Sequence, residues 1–293
     1  MSMFDKPILV FQTDFTYAEG AVSSMYGVVK TVDRELEIFD GTHQIPQYDT
    51  WSASYRLYQS LQFWPKGTIY VSVVDPGVGT ARKACVAKTV DGYYVVTPDN
   101  GALTHIKKYV GIEAVREIDE TVNRLQSTRG VAIFHGRDLF GYTAARLASG
   151  IIDFEGVGPE YPVEDIIVFP KKLVIADIEG DTAKGIVSSV SDPFGSIVFN
   201  ISVKDFVKAG FSHGDMVHVL LQHKGETVFD QEVLYHKSFG FVPEGEPIIF
   251  NSSSTYVSLG LNMASFRDKY SVGAGEEWDI TLTNTGKKVT VHA

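Results

Sequence analysis

Residues 75–82, DPGVGTAR, place an acid and a base at the two ends of a glycine-rich loop. The run before it, TIYVSVV, is rich in β-formers, so Asp75 stands at the carboxyl end of a strand. Gly77 and Gly79 keep the Gly-x-Gly spacing of a dinucleotide-binding turn, but Arg82 occupies the place of the third glycine and no clear helix follows. A tight turn by itself accounts for Pro76, Gly77 and Gly79. It leaves Asp75 and Arg82 unexplained unless they are a solvent-exposed ion pair of small energetic weight.

Other strand-like runs end in the same way. Asp14 follows ILVFQT, His43 follows EIFDGT, Asp99 and Asn100 follow YYVVTP, and His135 follows VAIF. In open α/β sheets ligands gather outside the carboxyl ends of the strands, so these residues form a candidate pocket rim. Each also has a plain structural explanation: Asp99-Asn100-Gly101 reads as a turn, and His43 as a hydrogen-bonded loop residue. In VAIFHGRDLFGYTAARLASG a strand leads through a loop to a helix starting near Leu139, with Asp138 as its cap and Arg137 as a local ion-pair partner. His135 stands apart, because an imidazole titrates near neutral pH and suits proton transfer. Carboxylates and imidazoles also suit a two-metal hydrolase site. No compact spacing such as His-x-x-x-His supports one, so no metal is expected.

The elements that must position these residues alternate. PILVFQTDF, LEIFDGTH, TIYVSVVD and GYYVVTP read as strands, while GAVSSMYGVVKTVD and YDTWSASYRLYQSLQFW carry apolar residues at helical spacing. Repeated strand-helix-strand units predict an open, largely parallel sheet, a Rossmann-like α/β domain. From about Leu173 the pattern changes to short alternating segments such as GIVSSVSD, SIVFNI, DMVHVLLQH, TVFDQEVLY and WDITLT, with hardly any helix. A C-terminal antiparallel β-barrel-like domain is therefore expected, with domains at 1–165 and 172–293 and a linker near 160–172.

Composition narrows the function. With 293 residues, 44% hydrophobic and 21% charged, the chain is an ordinary globular one with room for two domains. A formal net charge of -10 argues against sequence-independent nucleic-acid binding, which depends on Lys and Arg neutralising phosphates. The one cysteine, Cys85, rules out an internal disulfide and reads as a small apolar strand residue. No apolar run approaches the roughly 20 residues of a membrane span, and the N-terminus lacks the charged n-region of a signal peptide. A cytoplasmic protein with no membrane partner is expected.

Taken in order, TDFTYAEGAVSSMYGVV, GTHQIPQYD, DPGVGTAR, TPDNGALT, FHGRDLF, SDPFGSIVFNI and NSSSTYVSLGLNMASF resemble the S-adenosylmethionine hydrolases, also called hydroxide adenosyltransferases, relatives of the fluorinases and chlorinases. The resemblance spans nearly the whole chain. It implies an α/β domain, a β-barrel-like domain, and a homotrimer whose sites lie between the first domain of one subunit and the second of the next. It implies no cofactor, with S-adenosylmethionine as the small-molecule substrate.

The resemblance also implies residue roles. Asp75, Arg82 and His135 would handle a water that displaces methionine at C5′. Asp14 would hold the ribose hydroxyls, with Tyr48 and Phe134 packing near the sugar. In the second domain Asp192 would meet the methionine amino group, Phe194 and Phe239 would flank adenine, and Ser252 or Ser253 and the backbone near Met263 would complete the carboxylate and adenine contacts. The halogenating relatives carry a tyrosine in place of Asp75 and a halide-binding serine in place of Gly136. A carboxylate there repels an anion by roughly 4 kcal/mol for unit charges about 4 Å apart at an effective dielectric near 20. Departures are visible: Ser196 stands where the family has asparagine, Glu19 replaces an aspartate, Leu261 replaces an arginine of the halogenases, and NSSSTYVSL departs from Asn-Ser-x-Gly. Two other functions fit the residues: an adenosine or S-adenosylmethionine sensor without turnover, and a metal-dependent phosphoester hydrolase.

Overall fold

Alternation along β1 (Leu9–Thr13) sets the layers of the first unit, since all five of its residues are buried. Leu9 and Phe11 pack with Met25 and Val29 of α1 (Ala21–Val32), while Val10 packs with Leu57 and Leu61 of α2 (Thr50–Leu61) on the other face. Ala144 and Ala148 of α3 (Tyr142–Ala148) join the first face. Buried Gln12 donates to Ala53 O and Ser72 Oγ, each at 2.8 Å, which fixes β1 against α2 and the next strand. The computed structural model describes residues 6–290. They divide into two compact units, residues up to 169 and from 170 onward.

The remaining strands of the first unit are β2 (Ile38–Thr42), β3 (Ile69–Val73), β4 (Ala84–Thr89), β5 (Tyr94–Pro98), β6 (Ile112–Glu117) and β7 (Glu160–Tyr161), in the order β2-β1-β3-β5-β4-β6-β7. β2, β1, β3 and β5 are parallel. β4 pairs antiparallel with β5 and β6, and β6 with β7. The sheet is therefore half parallel, where the sequence suggested a largely parallel one; the strand-turn-strand run from Cys85 to Pro98 folds back on itself with no helix to carry it across the sheet. Asp14, His43, Asp75 and Asp99 all lie beyond the carboxyl ends of the parallel half.

The expected strand VAIF is irregular and its first three residues are exposed, Ile133 by 79%. Four apolar residues satisfy the strand pattern, but no sheet edge receives them. The helix beyond starts earlier than expected, as a widened π-helical turn over Gly136–Gly141 that runs into α3. Asp138 is inside that turn, fully buried and paired with Arg137 Nε at 2.6 Å, so it is an ion-pair partner and not a cap.

The second unit contains β8 (Asp177–Glu179), β9 (Thr182–Ser191), β10 (Ser196–Ser202), β11 (Asp215–His223), β12 (Glu226–Tyr235), β13 (Pro247–Asn251), β14 (Tyr256–Leu261) and β15 (Gly275–Lys288). The order is β10-β14-β13-β12-β11-β15-β9-β8, and pairing of β10 with β9 closes seven strands into a barrel. β12 and β13 pair parallel, so the barrel is not wholly antiparallel as expected. Its interior is filled by Phe199, Phe206, Phe211, Phe229 and Phe266 among others. Phe206 and Phe266 come from helices of six and five residues, Val203–Lys208 and Phe266–Tyr270, too short for helical periodicity to reveal. No helix among the described residues is long and apolar enough to cross a membrane.

Candidate active site

The glycine loop folds Arg82 back onto Asp75. Val78 N donates to Asp75 O at 3.2 Å and Thr80 N to Gly77 O at 3.1 Å, giving two successive turns. Gly79 has φ +75°, and a Cβ there would lie 3.1 Å from Ala132 O, so both its conformation and its neighbour call for glycine. Gly79→Ala is expected to cost about 1–3 kcal/mol of stability, the range for a non-glycine residue held in this region. Chemical denaturation checks this, and an unchanged midpoint would show the loop to be freer than its geometry implies.

Arg82 Nε donates to Asp75 Oδ1 at 2.9 Å and Oδ2 at 3.1 Å, and Arg82 Nη2 to Oδ2 at 2.5 Å. The side chains are 5% and 9% exposed, so this is no solvent-exposed surface pair. The guanidinium also stands over the Phe140 ring, 5.3 Å from its centroid.

His135 joins the pair from the start of the π-helical turn. Its Nδ1 accepts from Arg82 Nη2 at 2.8 Å. Arginine only donates and a guanidinium faces each ring nitrogen, Arg82 at 2.8 Å from Nδ1 and Arg124 at 3.3 Å from Nε2; the shorter contact takes the neutral ring's one lone pair, which leaves its proton on Nε2. Burial pushes the His135 pKa down, and Arg82 and Arg124 push it further against the opposing pull of Glu120 and Asp75. The ring is thus an uncharged acceptor at neutral pH, and its Nδ1 lone pair is engaged in orienting Arg82.

The second unit carries a cleft of about 740 Å³ on the barrel. Phe194, Ser196, Phe239, Ser252, Ser253 and Met263, all anticipated from the sequence, line it. Phe239 leans on Phe250, ring centroids 4.7 Å apart, while Phe194 and Met263 are 76% and 81% exposed. Ser252 Oγ pairs with Ser254 Oγ at 2.8 Å, whereas Ser253 is exposed. Asp192, next to the cleft-lining Pro193, is paired with Arg267. The cleft's walls are apolar and aromatic, its polar groups are hydroxyls and one amide, and among the described residues no charged side chain lines it. Such a cleft takes a flat, neutral, partly polar group.

Two stretches that together cover most of the chain match known domains. Residues 9–158 match the SAM hydroxide adenosyltransferase N-terminal domain, and residues 189–279 match the C-terminal domain of the same name. The chain belongs to the SAM hydroxide adenosyltransferase family. A relative named (R)-S-adenosyl-L-methionine hydrolase from Methanocaldococcus jannaschii is 31% identical over 74% of this chain and 74% of its own. One of the same name from Salinispora tropica is 30% identical over 95% of this chain and 99% of its own. A fluorinase from Actinopolyspora mzabensis is 22% identical over 95% of this chain and 98% of its own. A solved structure of an uncharacterized conserved protein from Thermotoga maritima superposes with a TM-score of 0.85 at 30% identity, covering 94% of this chain and 100% of that one.

In this member of the SAM hydroxide adenosyltransferase family, the other rim residues are tied into the fold. Asp14, 8% exposed, accepts from Tyr48 N at 2.9 Å, and Tyr48 itself has φ +66° and is 69% exposed. Phe134 meets Phe15 edge-on at 5.9 Å. A Cβ on Gly136 would lie 3.1 Å from Phe15 Cε2, so a serine there presses on that ring. His43 is held by Thr13 Oγ1 at 2.8 Å and Tyr26 OH at 2.9 Å, as the loop reading required.

Asp99 is structural, accepting from Tyr161 OH at 3.0 Å and Ile167 N at 2.9 Å, with burial raising its pKa. Asn100 Nδ2 donates to Val74 O at 2.9 Å, steadying the segment that leads to Asp75. Among the described residues no three of His, Cys, Asp and Glu gather as a metal-binding group. Sequence reasoning missed Arg124 beside His135, and Ser258 and Phe250 in the cleft. Arg124 lies in a loop with no recognisable pattern, and no spacing signals it.

Proposed function

We propose that this protein hydrolyses S-adenosyl-L-methionine to adenosine and L-methionine, without a cofactor and in the cytoplasm. The buried Asp75–Arg82–His135 chain carries the reading. It is supported by the family and by the relatives named as hydrolases of this substrate.

A water oxygen attacks C5′ in line with the departing sulfur. The O–C5′ bond forms, the C5′–S pair leaves on sulfur as a neutral thioether, and the water's proton passes to the site or to solvent. The sulfonium charge already activates the leaving group, so the protein's contribution is a positioned, partly desolvated water. Asp75 orients that water, Arg82 holds Asp75 and stabilises hydroxide character, and His135 holds Arg82. Asp14 takes the ribose hydroxyls beside Tyr48 and Phe134. Phe194 and Phe239 flank adenine, Asp192 takes the ammonium, and exposed Ser253 meets the methionine carboxylate.

These halves come together in a homotrimer, the first unit of one copy meeting the second unit of another. Exposed apolar side chains in each unit support this, Tyr48 and Ile133 in the first and Phe194 and Met263 in the second. Asp75 disfavours an incoming halide through charge, and Gly136 leaves Phe15 where a halide-binding serine would press.

The test is a chromatographic time course of chelator-treated protein with S-adenosylmethionine, with and without chloride or fluoride. Equimolar adenosine and methionine at a rate indifferent to halide and chelator is the expected result. Tight binding without product would make the protein a sensor instead, and loss of activity on chelation would require a metal.

A further inference from the structure

His135 stands between two ion pairs, and only one of them belongs to the reaction as described. Arg82, bound to Asp75, reaches Nδ1 at 2.8 Å. On the other side Arg124 Nη1 lies 3.3 Å from Nε2. Arg124 is 9% exposed and is held by Glu120 through Nη1 and by Val131 O, 2.5 Å from Nη2. Its buried Nε has no hydrogen-bond partner, so the fold accepts a desolvation cost to keep this guanidinium in place.

We propose that Arg124, anchored by Glu120, is a positioning residue that holds His135 as an uncharged acceptor for Arg82. The inference rests on the reading of Asp75, Arg82 and His135 as the water-handling set. Neutral imidazole has one lone pair, which Arg82 takes at Nδ1, so Arg124, 3.3 Å from the protonated Nε2, acts on the ring through its charge and not as a hydrogen-bond donor; imidazolium has no lone pair and would set a third positive charge between two guanidiniums. The charged groups facing the ring are Arg82 and Asp75 on one side and Arg124 and Glu120 on the other. Without Arg124, protonation of His135 would break the Nδ1 contact and release Arg82 Nη2, and with it the orientation of Asp75.

Arg124 and Glu120 therefore have opposite signatures. Arg124→Met removes a cation and raises the His135 midpoint. Glu120→Gln removes an anion and lowers it, while Arg124→Lys keeps the charge and stays near wild type. The measurement is an NMR titration of the His135 imidazole in the full-length protein, assigned with His135→Gln, beside the pH dependence of kcat/KM for S-adenosylmethionine.

The acid limb of kcat/KM is expected to move with the NMR midpoint, upward in Arg124→Met and downward in Glu120→Gln. Unmoved midpoints, or shifts of the same sign in the two variants, would overturn the proposal. Should Arg124→Met fail to fold, Arg124→Lys and Glu120→Gln decide, because Glu120 is 44% exposed in its side chain and tolerates the change. If wild type shows no turnover, the hydrolase reading fails while the titration still reports on Arg124.

Discussion

Asp75→Asn lowers kcat for S-adenosylmethionine by about 10²–10⁴-fold, a loss of the size seen when a group acting directly on the attacking water is removed. The amide is nearly isosteric, yet it places N–H donors against Arg82, which accepts nothing. Three donor contacts of 2.5–3.1 Å converge on the carboxylate, and replacing it frees Arg82 as an uncompensated, nearly buried cation. Breaking such a pair costs about 3–5 kcal/mol, so the melting temperature falls as well. The kinetic comparison therefore belongs at a temperature where both forms are folded, verified by circular dichroism. An Asp75→Asn enzyme with wild-type kcat would remove the carboxylate from the mechanism and leave Arg82 and the bound water as the remaining candidates.

Acid weakens the fold from about pH 6.5 downward, well above the range in which exposed carboxylates titrate. Burial lowers the pKa of His43 and His135, and drives that of His105 down to about 3. His105 is 3% exposed, its Nδ1 is hydrogen-bonded with Ser54 Oγ at 2.9 Å, and it lies among the rings of Trp51, Tyr55 and Tyr58. Unfolded, each imidazole returns to an ordinary value of 6.5. Between the two values the unfolded chain binds more protons than the folded one, so stability is lost as pH falls. His105 alone costs about 1.4 kcal/mol per pH unit, or roughly 4–5 kcal/mol by its own midpoint. Asp99 works in the opposite sense, because burial raises its carboxyl above 3.8.

Melting temperatures level above pH 7 and falling steadily from pH 6.5 to about 4 are the expected result. His105→Phe should lower stability at pH 8, by removing the side-chain hydrogen bond with Ser54, yet flatten the acid slope. Equal melting temperatures at about pH 4.5 and 7.5 would contradict the burial of these rings as neutral groups.

The legible part of the fold was the part written in local periodicity. The β1, β2 and β3 segments, the two long helices and the alternating strands of the second half follow from apolar spacing. The misread parts were those that needed a partner to be known. VAIF satisfies a strand pattern but meets no sheet edge, the parallel pairing of β12 with β13 is invisible to alternation, and the short helices carrying Phe206 and Phe266 span too few turns to show a periodicity. The six cleft residues followed from the family resemblance, whereas aromatic content alone gave no reason to separate Phe194 and Phe239 from core phenylalanines.

The sequence by itself placed Asp75 and Arg82 at the two ends of one Pro- and Gly-rich turn and left open whether they meet; the structure pairs them and buries the pair. The sequence also determined that Asp14, His43, Asp75 and Asp99 share one edge, through strands that run the same way. Only the tertiary structure decided what those residues do: Asp99 braces the end of the first unit, His43 is held inside a hydroxyl network, and Asp75 alone faces a guanidinium and an imidazole. His135 is 53 residues from Arg82 and Arg124 is 11 from His135, separations that carry no local signal. The π-helical turn and the loop before it bring the three together, and the charge balance around the imidazole exists only once they have met.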